Sequence, residues 1–144
     1  MVLVSPFLLT LCILLSFSLP SDTQNFRAFK RNHIVGRNEK IKCNNIVKTR
    51  HIMVKNACKP HNTFIHASAT EVQNLCSRFI QRRDVISIRR LHLTDCVLIK
   101  DPRARPPNCL YHQTETSGRI MITCLNGNPV HFIGYRRLPI RHVP

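Results

Sequence analysis

Eight histidines and 22 Lys+Arg in a chain of 144 residues are the side chains best equipped for chemistry. An imidazole with an ordinary pKa of about 6.5 takes or gives a proton near neutral pH, and a cationic side chain stabilises an anion. Spacing narrows the field. In Cys58-Lys-Pro-His-Asn-Thr-Phe-Ile-His66, strand alternation puts Lys59, His61, Thr63 and Ile65 on one side and Cys58, Pro60, Asn62, Phe64 and His66 on the other. Lys59 and Thr63 then share a face. In Pro129-Val-His-Phe-Ile133, Val130 and Phe132 share one side; with that side on the core, His131 faces out into a cleft. His33 completes a helical pattern with Phe26 and Phe29, at i, i+3 and i+7. Only four glycines are present, with no phosphate-binding loop and no dinucleotide fingerprint. Nucleotide-cofactor chemistry is thereby disfavoured, and any reaction must come from side chains.

The elements that must position these residues fall into two halves. The pattern predicts a helix over Gln24–Ile34, a second from Asn44 to about Met53, and a third opening at Ser68, where Ser68-Ala-Thr-Glu71 has capping-box spacing. Strand-like runs follow at Val85–Leu91, Asp95–Ile99, Cys109–Gln113, Arg119–Leu125 and Pro129–Ile133, separated by turn signals that include Ser117-Gly118 and Asn126-Gly127. The expectation is an α+β fold, three short helices packed on a curved antiparallel sheet. A chain this short has room for one small domain only.

Residues 2–19 are mostly apolar and end at Pro20 and the small polar run Ser21-Asp-Thr23, as a secretory signal peptide does. Cleavage after Thr23 leaves residues 24–144 as a single domain and removes Cys12. The remaining Cys43, Cys58, Cys76, Cys96, Cys109 and Cys124 imply three disulfides in a secreted chain, with 15 pairings open. His61 and His66 near Cys58 raise a metal site, but secretion, an even cysteine count and the lack of any C-x-x-C argue against one. No metal and no cofactor are expected. The formal charge is +15, and it selects polyanions: nucleic acid, anionic cell surfaces or glycosaminoglycans. The basic runs Arg82-Arg83, Arg89-Arg90, Arg103 with Arg105, and Arg136-Arg137 with Arg141 are candidate phosphate subsites.

Three blocks in order, Phe29-Lys-Arg-Asn-His33, Cys58-Lys-Pro-His-Asn-Thr-Phe64 and Pro129-Val-His-Phe132, are threaded through the six cysteines. Together they resemble the pancreatic-type ribonuclease superfamily, whose signature is C-K-x-x-N-T-F, over essentially the whole chain after residue 23. The likeness is nearest to the onconase-like branch and looser to angiogenin. It implies a ribonuclease A-like fold with Cys43 paired to Cys96, Cys58 to Cys109 and Cys76 to Cys124. It also implies a monomer that acts on RNA and meets ribonuclease inhibitor as a protein partner.

The resemblance further implies roles: His33 and His131 as the acid–base pair, Lys59 as the electrostatic stabiliser, Thr63 as the pyrimidine reader, and Asn62, Phe132 and Asn32 as substrate-binding residues. The implied activity is a secreted, metal-independent endoribonuclease that cuts single-stranded RNA at pyrimidines through a 2′,3′-cyclic phosphate. Because RNA carries its own nucleophile, such an enzyme needs only a base, an acid and a cation. Two departures stand out. Asn32 replaces a glutamine or lysine, and Ile133 replaces the aspartate that orients the second histidine in pancreatic ribonuclease. His51, His61, His66, His92, His112 and His142 are expected to be surface or packing residues. The same charge also suits a cationic host-defence protein or an angiogenin-like signalling protein with incidental catalysis, and the angiogenin likeness alone would fold the tail 136–144 back over the pyrimidine site, a point the sequence leaves open.

Overall fold

A computed structural model describes residues 25–101 and 104–137. Helix α1 spans Phe26–His33, α2 Cys43–Thr49 and α3 Ala69–Asn74; the strands are β1 Ile34–Val35, β2 Met53–Val54, β3 Ala57–Cys58, β4 His61–His66, β5 Arg83–Ile86, β6 Leu91–Leu98, β7 Tyr111–Leu125 and β8 Asn128–Arg136. Three helices on a curled, largely antiparallel sheet is the architecture expected. The main sheet runs β1-β4-β6-β7-β5, with β8 also on β7, and β2 and β3 form a separate pair. Among the described residues only β1 departs from antiparallel pairing, lying parallel to β4.

Helix α1 starts where the Asn25 side chain accepts from the Ala28 amide at 2.8 Å. It stops at Ile34 because the β-branched Ile34-Val35 pair turns extended and joins β4. At α3, the Ser68 hydroxyl accepts from the Glu71 amide as expected, at 3.0 Å. The reciprocal half of the capping box is missing, because the Glu71 carboxylate is taken by Arg37 at 2.7 Å. Helix α2 is shorter than its pattern suggested, and Met53 belongs to a strand.

The largest difference lies in β7. The runs Cys109–Gln113 and Arg119–Leu125 are parts of one 15-residue strand, with no turn at Ser117-Gly118. Its first half pairs with β6, while its second half pairs with β5 on one edge and β8 on the other. Gly118 serves close approach instead of turning: a Cβ there would lie 2.9 Å from the Arg136 backbone oxygen. Asn126-Gly127 does turn, with both residues at positive φ.

Two apolar clusters fill opposite faces of the sheet, as the alternation along β4 and β6 requires: Ile65 and Leu93 belong to one, Phe64 and Cys96 to the other. Phe29 anchors α1 in the first; Ile46 and Val47 anchor α2 in the second. Each such fully buried side chain contributes about 1.5–3 kcal/mol. The disulfides join Cys43 to Cys96, Cys58 to Cys109 and Cys76 to Cys124, the pairing that the resemblance implied. They close loops of 53, 51 and 48 residues, so each removes about 4 kcal/mol of chain entropy from the unfolded state.

Candidate active site

A cleft of about 750 Å³ opens where α1, β4 and β8 meet, and His33, Lys59, Asn62, Thr63, His131 and Phe132 all line it, with Asn32 beside them. Residues separated by almost a hundred positions thus face one volume.

His33 comes from the last turn of α1. The Arg50 guanidinium donates to the carbonyls of Ile34 at 2.7 Å and Arg31 at 3.2 Å, closing the helix end that carries the imidazole. Nδ1 of His33 lies 2.8 Å from the Thr63 carbonyl. A carbonyl only accepts, so Nδ1 holds the proton and Nε2 keeps its lone pair. Burial pushes the His33 pKa down to about 3, the charges of Lys59 and His131 push the same way, and the Thr63 bond opposes them. The ring is therefore neutral at pH 7.

Lys59 is not on the strand that alternation assigned to it. β4 begins at His61, leaving Lys59 in the two-residue connection from β3. Its carbonyl accepts from the Tyr111 hydroxyl at 2.8 Å, and the Cys58–Cys109 bridge fixes the residue before it. Its ammonium donates to Asn62 Oδ1 at 2.8 Å, a residue expected on the opposite face. Burial lowers the Lys59 pKa. Asn62 is itself buried and donates through Nδ2 to the Asn32 carbonyl at 2.8 Å. Asn62 thus ties the ammonium to α1, and Asn32 contributes its backbone to that tie.

Thr63 is buried on β4, where register sets it opposite Asp95 on β6. Its hydroxyl donates to Asp95 Oδ1 at 2.8 Å, so the oxygen presents lone pairs to a ligand. The His61 imidazole engages the same carboxylate oxygen, and the Tyr135 hydroxyl donates to Oδ2 at 3.2 Å. Asp95 and Tyr135 escaped the sequence reading, and His61, expected to be a surface or packing residue, joins them here. Asp95 was visible there only as a strand residue, since nothing local says which strand faces it.

His131 is exposed on β8, between two places where that strand carries an extra residue against β7, Val130 and Ile133. Such bulges re-aim side chains, and these bracket His131-Phe132. Val130 is buried and His131 is exposed, as alternation predicted. The Phe132 ring stacks on His33 with centroids 5.0 Å apart and planes at 26°. Ile133 is 42% exposed, and no side-chain hydrogen bond orients the His131 imidazole among the described residues. Among those residues the one grouping of metal-ligating side chains, His66 with His92 and Glu115, lies off this cleft. Arg103, Arg141 and the tail from 138, whose course over the pyrimidine site the sequence left open, lie outside the described residues.

The profile of the family described as Pancreatic ribonuclease matches residues 24–133. An oocytes ribonuclease from Aquarana catesbeiana is 36% identical over 132 residues, 92% of this chain and 96% of its own length. The solution structure of cytotoxic RC-RNase2 superposes with a TM-score of 0.62 at 34% identity, covering 81% of this chain and 99% of its own. A cytotoxic ribonuclease from Rana catesbeiana, in crystals with d(ApCpGpA) and (2′,5′CpG), gives 0.64 at 28% identity over 81% of this chain and all of its own.

Proposed function

Because the chain belongs to the pancreatic ribonuclease family, we propose that this cleft cuts single-stranded RNA at pyrimidine nucleotides. His33 Nε2 takes the proton of the 2′-hydroxyl, and O2′ forms a bond to phosphorus as the P–O5′ bond breaks. His131, as imidazolium, protonates the departing O5′, and the Lys59 ammonium faces the charge gathering on the phosphoryl oxygens. The first product is a 2′,3′-cyclic phosphate. Hydrolysis of the ring reuses the two histidines with roles exchanged, a water standing where the 5′-oxygen left. DNA, lacking the 2′-hydroxyl, is left intact. The nucleophile comes from the substrate, so the reading predicts full activity in EDTA.

The observation that carries this reading is the state of His33: a neutral imidazole with its proton fixed on Nδ1, in the cleft that also receives Lys59 and His131. Thr63, with its proton given to Asp95, suits a pyrimidine edge, and the binding of nucleotides by the Rana catesbeiana relative supports RNA as the partner. Release of residues 1–23 on secretion accords with the disulfides. The test is cleavage of poly(C), poly(U) and transfer RNA by the oxidised protein. His131→Ala should lower the rate 10²- to 10⁴-fold with no loss of fold; equal activity in that variant removes the reading.

A second reading follows from the exposed Arg78, Arg82 and Arg83 around Phe79 and the 74% exposed Ile80, and from relatives described as cytotoxic. This basic, apolar patch suits anionic membranes. Lysis of anionic vesicles that survives in His131→Ala and disappears when these arginines are neutralised would favour it.

A further inference from the structure

Behind the cleft, on the opposite face of the sheet, three adjacent strands place His66, His92 and Glu115 together. Their ligand atoms lie within 4.8 Å of one another. Glu115 Oε2 is 2.9 Å from His92 Nε2 and 3.9 Å from His66 Nε2. The side chains come from β4, β6 and β7, whose hydrogen-bonded backbones hold them in place, and His66 is buried to 5% exposure while His92 is half exposed.

The protons in this cluster do not balance as it stands. Thr94 Oγ1 donates its one proton to Glu115 Oε2 at 2.7 Å. It lies 2.6 Å from His66 Nε2, so it accepts there, and Nε2 must carry the ring proton. That leaves Nδ1 as a bare acceptor, buried and with no hydrogen-bond donor. The Gly36 backbone acts on the ring as an acceptor, so it cannot satisfy a lone pair. A buried orphan of this kind is destabilising. A cation on Nε2 reverses the tautomer: the proton moves to Nδ1, where it meets an acceptor, as histidine ligands commonly require.

The geometry points to a zinc-class divalent cation site at His66, His92 and Glu115. Two imidazoles and a carboxylate suit Zn²⁺, with water in the fourth position. Tetrahedral Zn²⁺ with bonds of 2.0–2.1 Å sets its ligand atoms about 3.3 Å apart; the two separations here fall on either side of that, and small rotations of the half-exposed Glu115 and His92 side chains bring both to it. The charge agrees. The chain has only seven acidic residues, yet the Glu115 and Glu39 carboxylates both act on the His66 ring. The sequence raised a metal at His66 only with its neighbours His61 and Cys58, and secretion and the even cysteine count argued against it. Its actual companions arrive from two other strands. The site would tie together β4, β6 and β7, and it stands independently of the proposed RNA chemistry.

The test is calorimetric titration of the oxidised protein with Zn²⁺, with the ring nitrogens followed by NMR. One saturable site is expected, with the His66 proton moving to Nδ1 as it fills. His92→Ala and Glu115→Gln, both on exposed side chains, should each weaken it at least tenfold while RNA cleavage in EDTA is unchanged. His131→Ala should bind Zn²⁺ as the parent does. Absence of a saturable site, binding that survives both His92→Ala and Glu115→Gln, or binding lost in His131→Ala would overturn the assignment; the last places the ion in the cleft.

Discussion

Replacing Asp95 by alanine should change which pyrimidine is cut while leaving the cutting itself in place. The carboxylate touches no residue assigned to proton transfer, but it takes the Thr63 hydroxyl proton at 2.8 Å and so fixes the direction of that hydroxyl. With the proton held there, the oxygen offers a lone pair, which matches the N3–H of uracil and not the bare N3 of cytosine. A hydrogen bond to a charged partner is worth about 1.5–3 kcal/mol. The Asp95 side chain is only 14% exposed, so solvent discounts little of it. Asp95→Ala should lower kcat/KM for UpA by about ten- to a hundredfold, and leave CpA within about threefold. The assay is steady-state cleavage of the two dinucleotides, with thermal melting as a control for lost contacts to His61 and Tyr135. A parallel fall on both substrates, at an unchanged melting temperature, would refute the assignment of Thr63 and Asp95 as base readers.

The charge on Lys59 should be worth about 10²- to 10³-fold in kcat, as preorganised oxyanion donors usually are; Lys59→Gln measured at saturating RNA checks this, and a loss under tenfold contradicts it. His33 supplies a stability test with a definite sign. Its folded pKa of about 3 lies below the ordinary 6.5, so the neutral ring is the form that folding favours. Its contribution is complete above about pH 6.5 and declines as pH falls toward 3, by up to about 1.4 kcal/mol per pH unit. Between pH 7 and 5 the parent should therefore lose about 2 kcal/mol more than His33→Asn in urea unfolding, whereas parallel losses would count against the buried neutral ring. Removing the Cys43–Cys96 bridge by paired serines should cost about 4 kcal/mol, read from the urea midpoint.

How much was legible beforehand varies with the distance over which each feature is decided. The α1 face of Phe26, Phe29 and His33 and the Ser68 cap were readable because a few neighbouring residues settle them. Ser117-Gly118 was misleading because the pair that often marks a turn also marks a close approach, and only β8, packed on β7, tells the two apart. Lys59 was displaced from its expected face by a strand that begins two residues later. Asp95 escaped because its meaning is its register opposite Thr63, fixed across 32 positions of chain.

The sequence alone determined the reactive inventory: which histidines, which lysine, six cysteines and the order of the blocks that carry them. These are covalent and local, so they survive without knowledge of the fold. Tertiary structure decided the states of those groups. Burial beside Lys59 holds the His33 ring neutral, and Asp95 orients the Thr63 hydroxyl. A proton's affinity and a hydroxyl's direction depend on dielectric and on partners a few ångströms away, and packing, not sequence adjacency, brings those partners in.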